Sequence, residues 1–324
     1  MYDIIEVKQN WDSNTLFIDV SLGNICNYQC DYCFPGANEG NIKWPEYDLF
    51  VKNISHLIEY YKKNGKTKFD IHFTGGEPTH WKKLPEFIKF LKSNFKCLIS
   101  MTTNGSKKID YWKTIAPYFD RIHMSCHHQF VNIENFRNIV DYLYEQNIIV
   151  SVSAMMHPMH WNKCMNLVEY LKSSKHKWTI RYCEILGTEY TEDQKKILSK
   201  HRARGPNIFW FIRNNKYSKS RVKIIDSKFK SYRVADNKIL LNKMNNFLGW
   251  ECSLGVEWLH ISTNGNISGT CGQVLFGEDK NFNIRDSDFT SKFNPIISTT
   301  ICKQKSCNCM YETNMPKRKL PCIK

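Results

Sequence analysis

The sequence predicts an α/β fold, with a parallel sheet in its first part and a smaller module of strands and turns behind it. Two observations carry this. Strand-like and helix-like runs alternate from Leu16 to Ile185, and such alternation implies parallel strands joined by right-handed helical crossovers. After Gly187 the alternation stops, and short hairpins and cysteines take its place. The expected organisation is residues 1–187 as the α/β part, 188–250 as a linker with a helix and a hairpin, and 251–324 as the C-terminal module.

Each element has its own reason. Leu16–Leu22 (LFIDVSL) reads as a short apolar strand. Asp48–Lys63 places Phe50, Val51, Ile54, Leu57, Ile58 and Tyr61 on one helical face, and Gly65 supplies a stop. Phe69–Thr74 is strand-like, and Leu84–Phe95 is a helix with Pro85 at its start, where a missing N–H costs nothing. Cys97–Thr102, Arg121–Ser125, Ile148–Met155 and Trp178–Ile185 follow as strands, separated by helices at Asp110–Ile115, Ile133–Glu145 and Trp161–Leu171. The result is about six β/α units, which suit an open doubly wound sheet or an incomplete barrel; in both, chemistry gathers at the C-terminal strand ends. Beyond Gly187 an amphipathic helix is expected near Glu192–His201, then a hairpin turning at Asp236-Asn237. A second hairpin turns at Asn264-Gly265, the strongest short-range hairpin signal, between Cys252 and Cys271.

Composition narrows the function. With 42% hydrophobic and 14% aromatic residues the chain is a folded globular protein. It has no apolar run of the roughly 18 residues a membrane span needs. Met1–Asn10 has no apolar core of signal-peptide type, so a cytoplasmic location is expected. The net charge is +15, from 46 basic and 31 acidic residues. The basic clusters, Lys62-Lys63 and His201–Arg204, are short and scattered. Solvated surface lysines account for that better than a nucleic-acid partner does. Thirteen cysteines, an odd number with no secretion signal, argue for metal ligands over a disulfide scaffold.

The first constellation is Cys26-Asn-Tyr-Gln-Cys30-Asp-Tyr-Cys33-Phe34, just beyond the first strand of the alternating series. Three close thiolates can hold three irons of a cubane cluster and leave the fourth open, whereas zinc sites usually take four ligands from paired Cys-x-x-Cys units. The second is Thr74-Gly75-Gly76-Glu77-Pro78, one β/α unit later. Its glycines let the backbone approach a ligand closely, and Glu77 can accept hydrogen bonds from an ammonium group.

CNYQCDYCF followed by TGGEP resembles the radical SAM (S-adenosylmethionine) superfamily, over roughly residues 15–185. The resemblance implies a partial (β/α)6 barrel. It implies that Cys26, Cys30 and Cys33 hold a [4Fe-4S] cluster whose fourth iron SAM chelates. Gly75, Gly76 and Glu77 would meet the methionine amino group, and Tyr32 would lie near the adenine. Asn104, Ser125 and His127, at the ends of later strands, are further candidates for SAM contact, with His128 a weaker one. Arg181, Tyr182 and Glu184 on the last strand could line the cavity, though alternation sends some of them outward.

The C-terminal cysteines, Cys252, Cys271, Cys302, Cys307 and Cys309, resemble the auxiliary-cluster modules of radical SAM enzymes, of SPASM or shorter "twitch" type. That implies a β-hairpin and helix module with one auxiliary [4Fe-4S] cluster, held by Cys252, Cys271 and two of Cys302, Cys307 and Cys309. A structural zinc site is the alternative. Cys97 and Cys164 read as small buried residues, while Cys126 and Cys183 are candidates to return a hydrogen atom to substrate, as in some family epimerases. The expected activity is reductive cleavage of SAM to a 5′-deoxyadenosyl radical and hydrogen abstraction from a peptide or small natural-product precursor. A reductase with flavodoxin or ferredoxin would supply the electron. An epimerase, an RNA-modifying enzyme and a non-catalytic electron carrier are the other readings.

Overall fold

A computed structural model describes residues 3–8, 13–176, 178–185, 187–201, 221–235, 244–269, 275–276, 281–305, 307 and 315–320. In chain order its elements are β1 (Ile4–Lys8), β2 (Thr15–Ser21), α1 (Tyr47–Lys63), β3 (Lys68–Thr74), α2 (Leu84–Asn94), β4 (Cys97–Thr103), α3 (Ile109–Ile115), β5 (Arg121–Cys126), α4 (Ile133–Glu145), β6 (Ile149–Met156), α5 (Trp161–Lys172), β7 (Thr179–Glu184) and α6 (Glu192–His201). Then come β8 (Arg221–Asp226), β9 (Ser231–Ala235), β10 (Glu251–Cys252), β11 (Trp258–Ile261), β12 (Ile267–Ser268), α7 (Phe289–Lys292), β13 (Thr300–Ile301) and β14 (Lys317–Arg318). Among the described residues no helix is long and apolar enough to cross a membrane.

By packing, the chain divides into two compact units. One comprises Met1–Val20, Glu46–Asp70 and Arg204–Lys324; the other comprises Ser21–Pro45 and Ile71–Ala203. The chain therefore passes between them inside β2 and again inside β3.

The second unit has the expected α/β construction. Its strands lie in the order β3-β4-β5-β6-β7, and β4 to β7 pair in parallel. One face of this sheet is apolar and meets the helices. Phe73 lies 5.8 Å from Phe87 of α2, and Ala154, Met156 and Tyr182 cluster with Cys164 and Val168 of α5. The caps agree with the sequence. Pro85 sits in the first turn of α2, and Asn132 caps α4 by accepting from Asn135 N at 3.0 Å.

In the first unit an antiparallel sheet runs β13-β10-β14-β1-β8-β9. Separately, β11 pairs in parallel with β2 and antiparallel with β12. The β11–β12 hairpin turns through Gly265 at φ +90°, as its Asn-Gly predicted. The β8–β9 hairpin turns over Ser227–Lys230, and the turn expected at Asp236-Asn237 lies outside the described residues. The Asp226 carboxylate makes that turn by accepting from Lys228 N at 3.0 Å and Lys230 N at 2.9 Å.

Candidate active site

The loop between β2 and α1 carries Cys26, Cys30 and Cys33. Its root is fixed by the buried Asn24. The Asn24 amide donates to Gly36 O (2.9 Å) and Asn41 Oδ1 (2.6 Å), and its oxygen accepts from Ile42 N (2.7 Å). One side chain thus ties the beginning of the loop to its end. Within it, Tyr28 N donates to Cys26 Sγ at 3.4 Å, and Cys33 N donates to Cys30 O at 3.0 Å. Burial pushes the Cys30 thiol up to about 11, opposed by a hydrogen bond from Tyr32 and reinforced by Cys33 and Cys26. Burial likewise raises Cys26 and Cys33. Cys33 raises both Cys26 and Cys30, and Cys26 raises Cys30, so the three thiols are close neighbours, and bound iron would favour their thiolate forms.

The TGGEP segment ends β3 directly beneath this loop. Gly76 N donates to Gly23 O and Glu77 N to Ile25 O, both at 2.8 Å. A Cβ on Gly75, which holds φ +120°, would overlap Gly23 O, and one on Gly76 would overlap Ile25 O. The close approach these glycines permit is therefore to the chain's own backbone, at the root of the cysteine loop. Glu77 is 1% exposed. Its Oε1 accepts from Thr79 N (3.1 Å), Thr79 Oγ1 (2.6 Å) and Thr103 Oγ1 (2.7 Å), and its Oε2 accepts from Asn104 N (2.6 Å). Burial raises the carboxyl above its ordinary value while these bonds pull it back. The carboxylate fastens the ends of β3 and β4 together. Its Oε1 takes three donors and its Oε2 one, so a further donor such as a ligand ammonium would meet it at Oε2. Asn104 reaches the cysteine loop in turn: its amide donates to Asn27 Oδ1 at 2.9 Å and lies 3.9 Å from Cys26 Sγ.

At the end of β5, His127 Nδ1 lies 3.1 Å from Tyr32 Oη and 3.6 Å from Cys30 Sγ. Tyr32 is stacked on His127 and His128, with ring centroids 5.9 and 5.5 Å away, and His157 lies 5.8 Å off at the end of β6. Burial lowers His127 and His128 to about 4, so both imidazoles are neutral. His157 carried no motif and escaped the sequence reading. Ser125 is half-buried on the sheet face away from the helices. Cys126, one residue on, is on the opposite, helix-facing side: it is 2% exposed, and burial then Cys164 push its thiol up to about 12. Strand alternation sets it on the face opposite Ser125, where it still acts electrostatically on Tyr28 and Tyr32 of the cysteine loop. Cys183 shares the Ser125 face, where it hydrogen-bonds Ser153. Of the other β7 candidates Arg181 is on that face, Tyr182 packs toward α5, and Glu184 is exposed.

The residues present fit a cubane cluster. Among the described residues no three His, Cys, Asp or Glu side chains converge to hold a single metal ion. A cubane does not ask for that, since each thiolate binds a different iron. Of the C-terminal cysteines, Cys252 is buried on β10, and Cys302 and Cys307 pack with Ile4, Val7, Ile224, Phe247 and Trp250. Cys271 and Cys309 lie outside the described residues. No disulfide joins the described cysteines.

Residues 20–171 match the model of the Radical SAM superfamily. A 7,8-dihydro-6-hydroxymethylpterin dimethyltransferase of Methanocaldococcus jannaschii is 32% identical over 109 residues, 33% of this chain and 21% of that protein. A GTP 3′,8-cyclase of Haemophilus influenzae is 29% identical over 136 residues, 38% of this chain and 39% of its own length. One from Vibrio atlanticus is 23% identical over 207 residues, covering 59% of this chain and 60% of its own length. The chain thus spans less than two thirds of the length of these relatives. Among solved structures, that of tagged anSMEcpe with bound AdoMet superposes with a TM-score of 0.51 at 13% identity, over 87% of this chain and 80% of that one. That likeness shows a shared fold.

Proposed function

We propose that this chain, which carries a Radical SAM superfamily domain over residues 20–171, as enzymes do among the relatives named above, abstracts a hydrogen atom from a small natural-product precursor or a peptide. A [4Fe-4S] cluster with SAM bound would supply reductive cleavage of SAM to methionine and a 5′-deoxyadenosyl radical. Cys26, Cys30 and Cys33 would hold it. The Asn24 hydrogen bonds and the Gly75–Glu77 segment would fix those thiols, and Asn104, Ser125 and His127 stand at the strand ends around them. Tyr32, stacked between imidazoles, walls the site against water. The reaction we favour is a net oxidation. An auxiliary [4Fe-4S] cluster on Cys252, Cys271 and two of Cys302, Cys307 and Cys309 would take the second electron, and a flavodoxin, ferredoxin or reductase would deliver the first. The names of the GTP 3′,8-cyclases support a small-molecule substrate over a peptide.

The observation that carries the proposal is the cysteine loop locked by backbone hydrogen bonds onto the TGGEP segment, Gly76 N to Gly23 O and Glu77 N to Ile25 O. The test is iron and sulfide content after anaerobic reconstitution, with 5′-deoxyadenosine assayed after adding dithionite and SAM. The wild type should form deoxyadenosine, and the Cys26→Ala/Cys30→Ala/Cys33→Ala variant should not. Cleavage that survives in the triple variant refutes the assignment.

A further inference from the structure

Three histidines of the second unit meet beside Tyr32. His128 lies two residues beyond β5, His157 one residue beyond β6, and His160 directly before α5, where its N–H donates to His157 O at 3.1 Å. Their ring centroids form a triangle. His128 is 5.4 Å from His157 and 5.0 Å from His160, and His157 is 5.0 Å from His160. The rings are tilted to one another by 52°, 35° and 44° in the same order, so none is stacked flat on another.

Two of the three are buried, His128 at 3% exposure and His157 at 8%. Both ring nitrogens of His128, and Nδ1 of His157, are shut off from solvent and make no hydrogen bond. Rings packed only for contact would keep their nitrogens wet or bonded, because an unpaired buried nitrogen is costly. The polar groups next to them are engaged elsewhere. Tyr32 Oη meets His127 Nδ1 at 3.1 Å, and Cys164 Sγ donates to Met155 O at 3.4 Å. His160 is exposed, so the triangle opens to solvent at that corner.

A metal ion is the partner that would satisfy all three rings. A zinc–nitrogen bond of about 2.0–2.1 Å holds an imidazole centroid about 3.2 Å from the ion, and tetrahedral angles then space three such centroids about 5.2 Å apart. The observed triangle has that size. The nitrogens do not point at one spot as the side chains stand, and the exposed His160 is the ring with room to turn. Burial, then His160, His157 and Lys163, lower His128 to about 4, so its ring is neutral and its lone pair available at neutral pH. Of the charged side chains acting on His128, Lys163 opposes a cation and Asp31 favours one. Imidazoles suit ions of the zinc class, whereas hard ions such as magnesium prefer oxygen.

We propose that His128, His157 and His160 bind a divalent transition ion of the zinc class, with water completing the tetrahedron at the solvent side. The site is distinct from the three thiols of the cysteine loop and does not depend on the radical reading. Tyr32 stacks on His128 with centroids 5.5 Å apart, so the ion would brace the ring that backs the segment between Cys30 and Cys33.

The test is zinc binding to the full chain after anaerobic reconstitution with iron and sulfide, by equilibrium dialysis with metal analysis and by X-ray absorption at the zinc edge. The wild type should bind one zinc per chain beyond its iron, in a shell of nitrogen and oxygen at about 2.0–2.1 Å. His160→Gln, an exposed change, should weaken binding by at least the roughly tenfold that losing even a supporting partner costs. His128→Phe keeps a ring against Tyr32 and should weaken it as much. If His128→Phe fails to take up iron, His160→Gln carries the test alone. His176→Gln, on the surface at Glu145, should leave binding unchanged. No saturable zinc in the wild type overturns the proposal. So does a shell of sulfur at about 2.3 Å, which would put the ion on cysteines. Wild-type affinity in His160→Gln overturns it too, as does a loss in His176→Gln as large as in His160→Gln.

Discussion

Replacing Glu77 with glutamine keeps the shape and removes the charge from the most heavily bonded carboxylate of the site. The amide oxygen can keep the three donors on the Oε1 side, Thr79 N, Thr79 Oγ1 and Thr103 Oγ1. Its NH2 then faces Asn104 N, 2.6 Å from the present Oε2, donor against donor. A buried N–H left without an acceptor costs about 1–3 kcal/mol. Two further effects oppose each other: the surviving bonds lose charge assistance, and the cost of burying a carboxylate disappears. The expected loss is therefore about 2 kcal/mol, a large share of the 5–15 kcal/mol that typically holds a domain folded. It falls where Asn104 meets the cysteine loop, so iron retention should drop along with stability. Urea unfolding of the metal-free chain reads the first effect, and iron per chain after desalting of the reconstituted protein reads the second. Unchanged stability together with unchanged iron would refute the view that this carboxylate fastens the two strand ends.

A methyl at position 76 collides with the Ile25 carbonyl, so Gly76→Ala should cost about 1–3 kcal/mol and lower iron uptake; normal uptake would show that the loop can shift without penalty. His128, 3% exposed and lowered to about 4 by burial, binds fewer protons folded than unfolded. Its contribution is whole above its ordinary value near 6.5 and is lost as pH falls from there toward 4, by at most about 3 kcal/mol. Urea midpoints of the metal-free chain should fall across that window, and His128→Phe should flatten the slope; equal slopes would contradict the burial argument. Replacing Cys252 and Cys271 with alanine should remove about four irons per chain, one cubane, leaving deoxyadenosine formation in place; unchanged iron would dismiss the auxiliary cluster.

The α/β part was legible because its signals are local and periodic. The strand LFIDVSL and the face Phe50, Ile54, Leu57, Ile58, Tyr61 need no partner to be recognised, and both stand as β2 and α1. The strands that went unseen depend on partners far away. β1 reads as mixed charge and becomes a strand only by pairing with β8 and β14, and β10, β13 and β14 are two residues each. The β8–β9 hairpin escaped for the same reason in miniature: its turn is made by the Asp226 side chain, which accepts from Lys228 N and Lys230 N and carries no turn signature until those partners are known. At the site, three cysteines and TGGEP announced themselves by spacing. Asn24, Thr79 and Thr103 did not, since an asparagine or threonine in a loop has no signature until its partners are known. Cys126 is a different lesson. Met124 lies against α4, close enough that a Cβ on Gly105 would meet its Cε at 2.5 Å and Phe136 at 3.0 Å, and alternation then sends Cys126 the same way.

The pairing of β1 also sets a timetable for synthesis. Residues 4–8 leave the ribosome well before their neighbours on either side, Arg221–Asp226 and Lys317–Arg318. At about 5–20 residues per second the second neighbour arrives roughly 15–60 s after β1 does. Throughout that interval β1 has an open edge on the nascent chain, which invites pairing with the wrong strand. A chaperone that shields β1, or slow translation followed by rapid release, would be expected to decide how much of this protein reaches its native state.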